Sequence, residues 1–416
     1  MSLSKNGVSE WRGFWFLPLV AALGYATSVL HVYSFGPFIG PIQAEFDWSR
    51  AQVSSGISIA AFLSAIFCIP VGMLIDRIGP RRVGLFGVLA MSGTVALLST
   101  ATGEQGNWVL MWAVVAFGTL CVQATVWTTA VNSRFEASRG MALAVTLSGA
   151  SFAATLFPLL ATWLIENYGW RNAFTGLGGI WAALVFPILL FSFRGAQDVK
   201  IVTTNGEVKP EIVLTGLSLA EGLRSPALYK LVLASALFAF TAVGTIVHFV
   251  PILTDRGAEP LAAAGIASLI GVFSIFGRLG TGFLLDRAPA HIVGACVCLM
   301  PIAASALLII DGASAVNQIL AAAIFGLTLG SEVDVIAYLA ARHFGLKNFA
   351  SLYGALIMSL AIGTSFGPVS AGAVFDQYDS YAPFLVFTAI IMAVSSISIL
   401  SLEPFGRKAK TIVHTP

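Results

Sequence analysis

Residues 72–82 read GMLIDRIGPRR, and residues 282–287 read GFLLDR. Each stretch closes an apolar run with a glycine and an Asp-Arg pair, 210 residues apart. Phe157-Pro158 and Gly367-Pro368 recur at the same offset. A chain that repeats its punctuation at a fixed distance is built twice. The reading of these two stretches therefore governs the reading of everything between them.

Composition says what the repeated unit is. Of 416 residues, 57% are hydrophobic and only 10% charged. A soluble domain carries about 25% charged residues, so this chain has too little charge to cover a water-facing surface. Apolar runs recur along its whole length, which predicts many helical crossings of a lipid bilayer rather than one anchor. Membrane barrels are excluded, because their strands alternate polar and apolar residues. The net charge of +2 comes from scattered loop residues, so no nucleic-acid face is expected. Cys68, Cys121, Cys296 and Cys298 all fall in apolar runs and read as packing residues. None has metal-site spacing, and no cofactor is expected. The opening MSLSKNGVSEWR is polar and the apolar stretch after it is long, so no secretory signal is expected.

Charges, prolines and glycines divide the chain into twelve expected spans. They cover 13–39, 50–75, 81–101, 107–132, 140–165, 171–193, 227–253, 261–285, 290–310, 315–341, 348–374 and 381–402. The polar stretch 194–226 separates them six and six, giving an N-terminal bundle (1–193), a linker (194–226) and a C-terminal bundle (227–416). Of the 22 Lys and Arg, Arg50, Arg171 and Arg256 fall on one side and Arg278 inside a span; the other eighteen share the opposite side. Basic residues mark the cytoplasmic side. Both termini and the linker are therefore expected there.

GMLIDRIGPRR resembles the loop signature of the major facilitator superfamily. The resemblance implies an all-α integral membrane fold, with twelve transmembrane helices in two pseudo-symmetric six-helix bundles. It also implies a monomer in a bacterial inner membrane. Gly72, Asp76, Arg77, Gly79, Arg81 and Arg82, with Asp286 and Arg287 in the repeat, are the expected conformational latch. Asp76 suits a helix N-terminus or an arginine of the other bundle. Within the superfamily, YSFGPFIGPIQAEFDWSRAQVS (33–54), YGWRNAF (168–174), HFVPILTDRG (248–257) and SIFGRLGTGFLLDR (274–287) resemble the monocarboxylate and oxalate/formate transporter branch. That resemblance puts Arg278 on the position that holds the substrate carboxylate. Animal members often have an acidic residue where Ser274 stands and a lysine in the first span. Here His31 and Tyr33 occupy that region, so the animal route for protons is not implied.

Three ionisable residues fall inside spans, where each needs a partner or a watery cavity. Arg278 lies eight residues before Asp286; Asp334 lies eight before Arg342 and Glu332 two further. Eight residues are roughly 12 Å of helix, so all three share one depth. Glu332 and Asp334 point about 200° apart, so only one can face a cavity. Either could; the reading taken is Asp334, which shares a face with Tyr338. At the repeat offset Arg278 corresponds to Cys68 and Ser274 to Ser64, and at one residue less Glu332 and Asp334 correspond to Gln123 and Thr125. The charges belong to one half only, which favours a functional role.

The expected substrate-binding residues are Arg278, Ser274, Tyr338, Trp127, Gln123, His248 and Tyr33, and the expected proton-coupling residues are Asp334 and Glu332. Trp11, Trp15, Trp108 and Trp170 sit at span ends and read as interfacial anchors. GALIMSLAIGTSFGPVSAG (354–372) resembles the glycine-proline signature of drug antiporters, but there it belongs to span five, which lacks it here. The expected partners are thus a small carboxylate, protons and the lipid bilayer, in proton symport. Carboxylate exchange is the first alternative. A cation antiporter using Glu332 or Asp334 is the second, and a transport-inactive sensor is a third. No phosphate-binding loop or metal spacing points to an enzyme.

Overall fold

The computed structural model describes residues 5–195, 216–285, 287–311, 314–345 and 349–402. The side chains of 5–7, 68, 69, 72–76, 311 and 349–351 also lie outside the description. Among the described residues the structure is helical, with one isolated bridge between Gly216 and Gly345. The helices named below are α1 (Lys5–Phe14), α2 (Phe16–Ser28), α3 (Arg50–Ile78), α4 (Pro80–Leu97), α5 (Gln105–Cys121), α6 (Ala124–Asn132), α7 (Arg139–Leu147) and α8 (Gly149–Ser192). After the linker come α9 (Pro226–Thr254), α10 (Pro260–Leu285), α11 (Ala290–Asp311), α12 (Ala315–Phe344), α13 (Phe349–Tyr378) and α14 (Ala382–Leu400).

Ten segments among the described residues are long and apolar enough to cross a membrane. A bilayer offers backbone groups no water, so helices that satisfy their own hydrogen bonds are the form such segments take. One of the ten, Arg139–Ser192, is 54 residues long. It is kinked at Gly169 (φ 77°, ψ 159°), between the expected spans 140–165 and 171–193. The GPRR turn works similarly. Gly79 (φ 92°, ψ 147°) takes a conformation open to glycine, and Pro80 then starts α4 at its first position.

Three expected spans are not continuous, the fifth dividing at Ser148 between α7 and α8. The first breaks at Val29 (φ −110°, ψ 7°), leaving the shorter apolar helix Phe16–Ser28. The Thr27 and Ser28 hydroxyls donate to Leu23 O (3.2 Å) and Tyr25 O (2.7 Å), and Pro37 further on lacks an N–H. The fourth breaks at Val122–Gln123. There the Trp127 indole donates to Val122 O (2.8 Å), in place of a helical N–H.

The buried apolar residues form three clusters. One is drawn from residues 17–193 with Val247, and the other two from 228–402. The halves meet where α3 packs on α13 and α8 on α10. Gly271 of α10 lies against Ser151 O and Thr155 of α8, and a Cβ at Gly372 of α13 would come within 2.6 Å of Ala51 N of α3. Small residues let helices without a hydrophobic driving force approach closely. Trp108 and Trp170 are buried rather than interfacial. The first donates to Val53 O (3.3 Å) and the second to Glu45 Oε2 (2.6 Å). Trp15, by contrast, is exposed.

The amphipathic α1 precedes the first apolar helix and is docked by one carboxylate. Glu10 accepts from the backbone N–H groups of Glu136 (3.0 Å), Ala137 (2.8 Å) and Ser138 (3.0 Å) and from the Ser138 hydroxyl (2.7 Å). Burial raises its carboxyl pKa, but the hydrogen bonds outweigh burial and bring it from the ordinary 4.5 down to about 2. A folded value below the unfolded one means that the docking is at full strength above 4.5 and is lost as pH falls toward 2. We expect hydrogen-exchange protection of the Glu136–Ser138 amides to be flat from about pH 6 to 4.5 and to decline below. Glu10→Gln should lower that protection and remove its pH dependence; a profile shared by both proteins would refute the clasp.

Candidate functional site

The site rests on α10 and α12. Gly277 of α10 lies against Leu327 O, and Gly330 of α12 lies against Ser274 O, so the two backbones nearly touch. Hydroxyls stitch them together: Thr281 donates to Ser331 Oγ (2.7 Å), and Ser331 reaches Gly277 O (3.1 Å). Helices held this close bring Arg278 Nη1 within 3.2 Å of Asp334 Oδ1. The two side chains keep 16% and 31% of their accessible surface, so the pair is partly accessible rather than sealed within a core. Arg278 Nε has no partner.

Glu332 faces the other way. It is fully buried, neither carboxyl oxygen has a partner, and it interacts electrostatically with Cys298 of α11. Its helical neighbour Ile336 is buried too. The two carboxylates thus divide as their spacing requires. Asp334 meets the arginine, and Glu332 enters the core of the C-terminal half.

The other expected residues scatter. Tyr33 is half-buried, interacts electrostatically with Arg278, and lines a narrow gap between the halves with Pro37, Ala154, Pro158, Ile246 and Val250. Tyr338 accepts from Arg342 Nη2 (2.9 Å), one turn beyond Asp334. Gln123 is half-buried at the helix break. Trp127 packs inside the cluster drawn from residues 17–193. It is fully buried, against Gly24 and 5.0 Å from the Phe193 ring, because its indole is spent on Val122 O. Ser274 is also sealed, donating to Ser151 Oγ (2.6 Å) across the crossing of the halves, one turn from Arg278. His248 is fully buried among Tyr381, Pro368 and Ser54, away from Arg278.

Sequence reading missed Tyr25 of α2 and Tyr353 of α13. Tyr25 interacts electrostatically with both Arg278 and Asp334, and Tyr353 with Asp334 and Glu332. A tyrosine in an apolar run was the available signal, but only the tertiary fold says which ones converge.

Among the expected latch residues, Arg81 donates to Leu190 O (2.7 Å). Arg287 donates to Phe283 O (3.2 Å) and stacks over the Phe283 ring at 3.6 Å. Both contacts stay within one half. Arg77 and Arg82 are exposed. Gly72 lies within α3 and Gly79 caps α4. The side chain of Asp76 and all of Asp286 lie outside the described residues.

The Arg278–Asp334 pair thus lies within helices that are long and apolar enough to cross a membrane. Residues 21–356 match the family model of the Major Facilitator Superfamily, and the chain belongs to that family. It is 24% identical over 371 residues to the uncharacterised MFS-type transporter YhjX of Escherichia coli, covering 86% of this chain and 87% of that one. It is 24% identical over 401 residues to monocarboxylate transporter 13 of Rattus norvegicus, covering 92% and 88%. A crystal structure of a bacterial homologue of the human lysosomal transporter Spinster, inward-facing and unoccupied, superposes with a TM-score of 0.70. The match has 17% identity and covers 93% of this chain and 97% of that one. A crystal structure of the nucleoside transporter NupG gives 0.71 at 13% identity, covering 92% and 99%. The protein is a multi-pass membrane transporter with a small-molecule substrate, and its homologues and fold are not those of enzymes.

The ion pair makes a quantitative prediction. Removing one partner leaves the other charge uncompensated, at a cost of about 1–3 kcal/mol for a pair this exposed. We expect Asp334→Asn to lower the melting temperature more than the double variant Arg278→Gln/Asp334→Asn does. Thermal unfolding of the four proteins in one detergent closes the cycle, and simple additivity would show that the pair does not couple.

Proposed function

We propose that the protein is a secondary active transporter of a small monocarboxylate, working by alternating access and proton symport in a bacterial cytoplasmic membrane. Residues 1–193 and 227–416 form the two six-helix bundles, joined by 194–226, with twelve crossings, both termini cytoplasmic, and a monomer as the working unit. The observation that carries this reading is the state of Arg278. It spends one hydrogen bond on one Asp334 oxygen at 3.2 Å, and its Nε is unpartnered. A planar guanidinium with donors to spare, in a partly dry cavity, suits a two-oxygen anion.

In this reading Asp334 balances Arg278 when the site is empty. When a carboxylate takes the arginine, Asp334 loses its counter-ion and accepts a proton. The loaded site is then electroneutral, which lowers the barrier to moving it through a low-dielectric environment. Tyr25, Tyr33 and Tyr353, within electrostatic range of the pair, offer hydroxyls and ring faces to the rest of the substrate. Glu332, sealed from the cavity, is a second acid outside the substrate's reach. The name of the rat relative supports the substrate class.

The test is thermal stability of the purified protein with a panel of small carboxylates, for wild type and Arg278→Gln, at pH 5.5 and 7.5. A ligand that binds only the folded state raises the melting temperature by mass action, by about 2.7 kcal/mol of stability at a hundred times its Kd. We expect one acid to stabilise the wild type alone, more strongly at the lower pH. Stabilisation that ignores pH would favour exchange over symport. Stabilisation by lipophilic cations and by no carboxylate would overturn the assignment.

A further inference from the structure

We propose that Arg50, Asp255, Asp376 and Tyr381 form a lock between the two halves, and that opening the protein on the Arg50 side requires the Arg50 guanidinium to leave Asp255. The inference rests on the alternating-access reading but not on the identity of the cargo.

Arg50 opens α3, in the N-terminal half. Its Nη1 donates to Asp255 Oδ2 (2.6 Å) and its Nη2 to Asp255 Oδ1 (2.8 Å), a bidentate fork across the halves. Nη1 also donates to Tyr381 Oη (2.8 Å), and Nε donates to Gln43 Oε1 (3.2 Å). The guanidinium lies over the Phe375 ring at 3.5 Å. The Arg50 and Asp255 side chains keep 12% and 31% of their surface, so the pair is partly shielded from solvent.

Asp376 adds a second tie by a different route. Its Oδ1 accepts from Arg50 N (2.8 Å) and its Oδ2 from Ala51 N (2.9 Å). These are orphan donors at the start of α3. A carboxylate belongs at a helix N-terminus, and here the other half supplies it. The contact needs close backbones, which Gly372 provides.

The third tie runs inward and has one direction. His248 Nε2 lies 2.9 Å from Pro368 O and 3.1 Å from Ser54 Oγ, and Nδ1 lies 2.7 Å from Tyr381 Oη. A carbonyl only accepts, so Nε2 carries the hydrogen that Pro368 O receives. Nδ1 then accepts from the Tyr381 hydroxyl, whose oxygen accepts from Arg50. The chain Arg50→Tyr381→His248→Pro368 ends at the proline inside α13, where a helical N–H is already missing. Moving Arg50 away therefore breaks the fork, the stacking, the helix caps and the orientation of His248 together. Among the described latch residues, Arg81 and Arg287 bond within their own halves.

The experiment reads opening directly. Ala154, 1% exposed, lines the narrow gap between the halves and becomes a reporter as Ala154→Cys in a chain whose native cysteines are replaced. Labelling by a bulky hydrophilic maleimide is measured in nanodiscs without substrate. We expect Asp255→Asn to raise the labelling rate roughly tenfold, the change that a shift of about 1.4 kcal/mol between two states produces. Arg50→Asp/Asp255→Arg should bring it back toward the starting rate. Glu45→Gln is the control, because Glu45 pairs with Arg171 (2.6 Å) within one half; it should leave labelling unchanged. Should Asp255→Asn not fold, Asp376→Asn carries the same expectation. Unchanged labelling in a folded Asp255 or Asp376 variant overturns the lock, as does an equal rise in Glu45→Gln. If the carboxylate panel fails while labelling responds as expected, the lock stands and only the cargo assignment falls.

Discussion

An ion inside a lipid-facing helix bundle must be answered by another group, and much of this site follows from how Arg278 is answered. The answer depends on Gly277 and Gly330, which let α10 and α12 run almost backbone to backbone. At that separation an aspartate on α12 reaches the guanidinium at 3.2 Å. Helical geometry then decides what happens to the neighbouring acid. Glu332, two residues away, has to point into the core, where neither of its oxygens finds a partner. One close helix contact therefore produces both the exposed pair and the sealed carboxyl.

What could be read in the sequence was what depends on counting along a helix. The depth shared by Arg278, Asp334 and Glu332 came from distances to the flanking loops, and the opposite faces of the two acids came from their spacing of two. The GPRR turn was readable because glycine and proline act locally. Other features are tertiary. Ser274 read as a substrate-binding residue, yet Ser151 of the other half takes its hydroxyl. His248 read as a substrate-binding residue, yet it belongs with residues more than a hundred positions away. Trp127 read as a cavity aromatic, yet its indole satisfies the carbonyl at the break in the fourth span. Each of these polar groups would be costly to bury alone, and no local pattern names the partner that removes the cost.

The two halves share a repeat but not a chemistry. The cluster drawn from 17–193 is rich in packed aromatic rings, such as Phe35 on Trp112 at 5.1 Å and Phe157 on Trp181 at 4.8 Å. The C-terminal half carries the intramembrane charges. At the offsets read from the repeated motifs, Cys68, Gln123 and Thr125 stand where Arg278, Glu332 and Asp334 do, and all three are uncharged.

Two arginines show how the same side chain serves opposite ends. Arg50 spends its guanidinium on both Asp255 oxygens, Tyr381 and Gln43, and lays its plane on Phe375. A newcomer would have to displace partners already at 2.6–2.8 Å. Arg278 holds one oxygen at 3.2 Å and keeps Nε without a partner. A buried donor left unmade costs on the order of 1–3 kcal/mol, which a ligand oxygen can recover on binding. Saturation suits a tie between two halves, and incomplete satisfaction suits a site that must accept an anion and release it. On the proposed readings, the hydrogen-bond inventory of each guanidinium, more than its charge, is what separates the arginine assigned to the lock from the one assigned to the cargo.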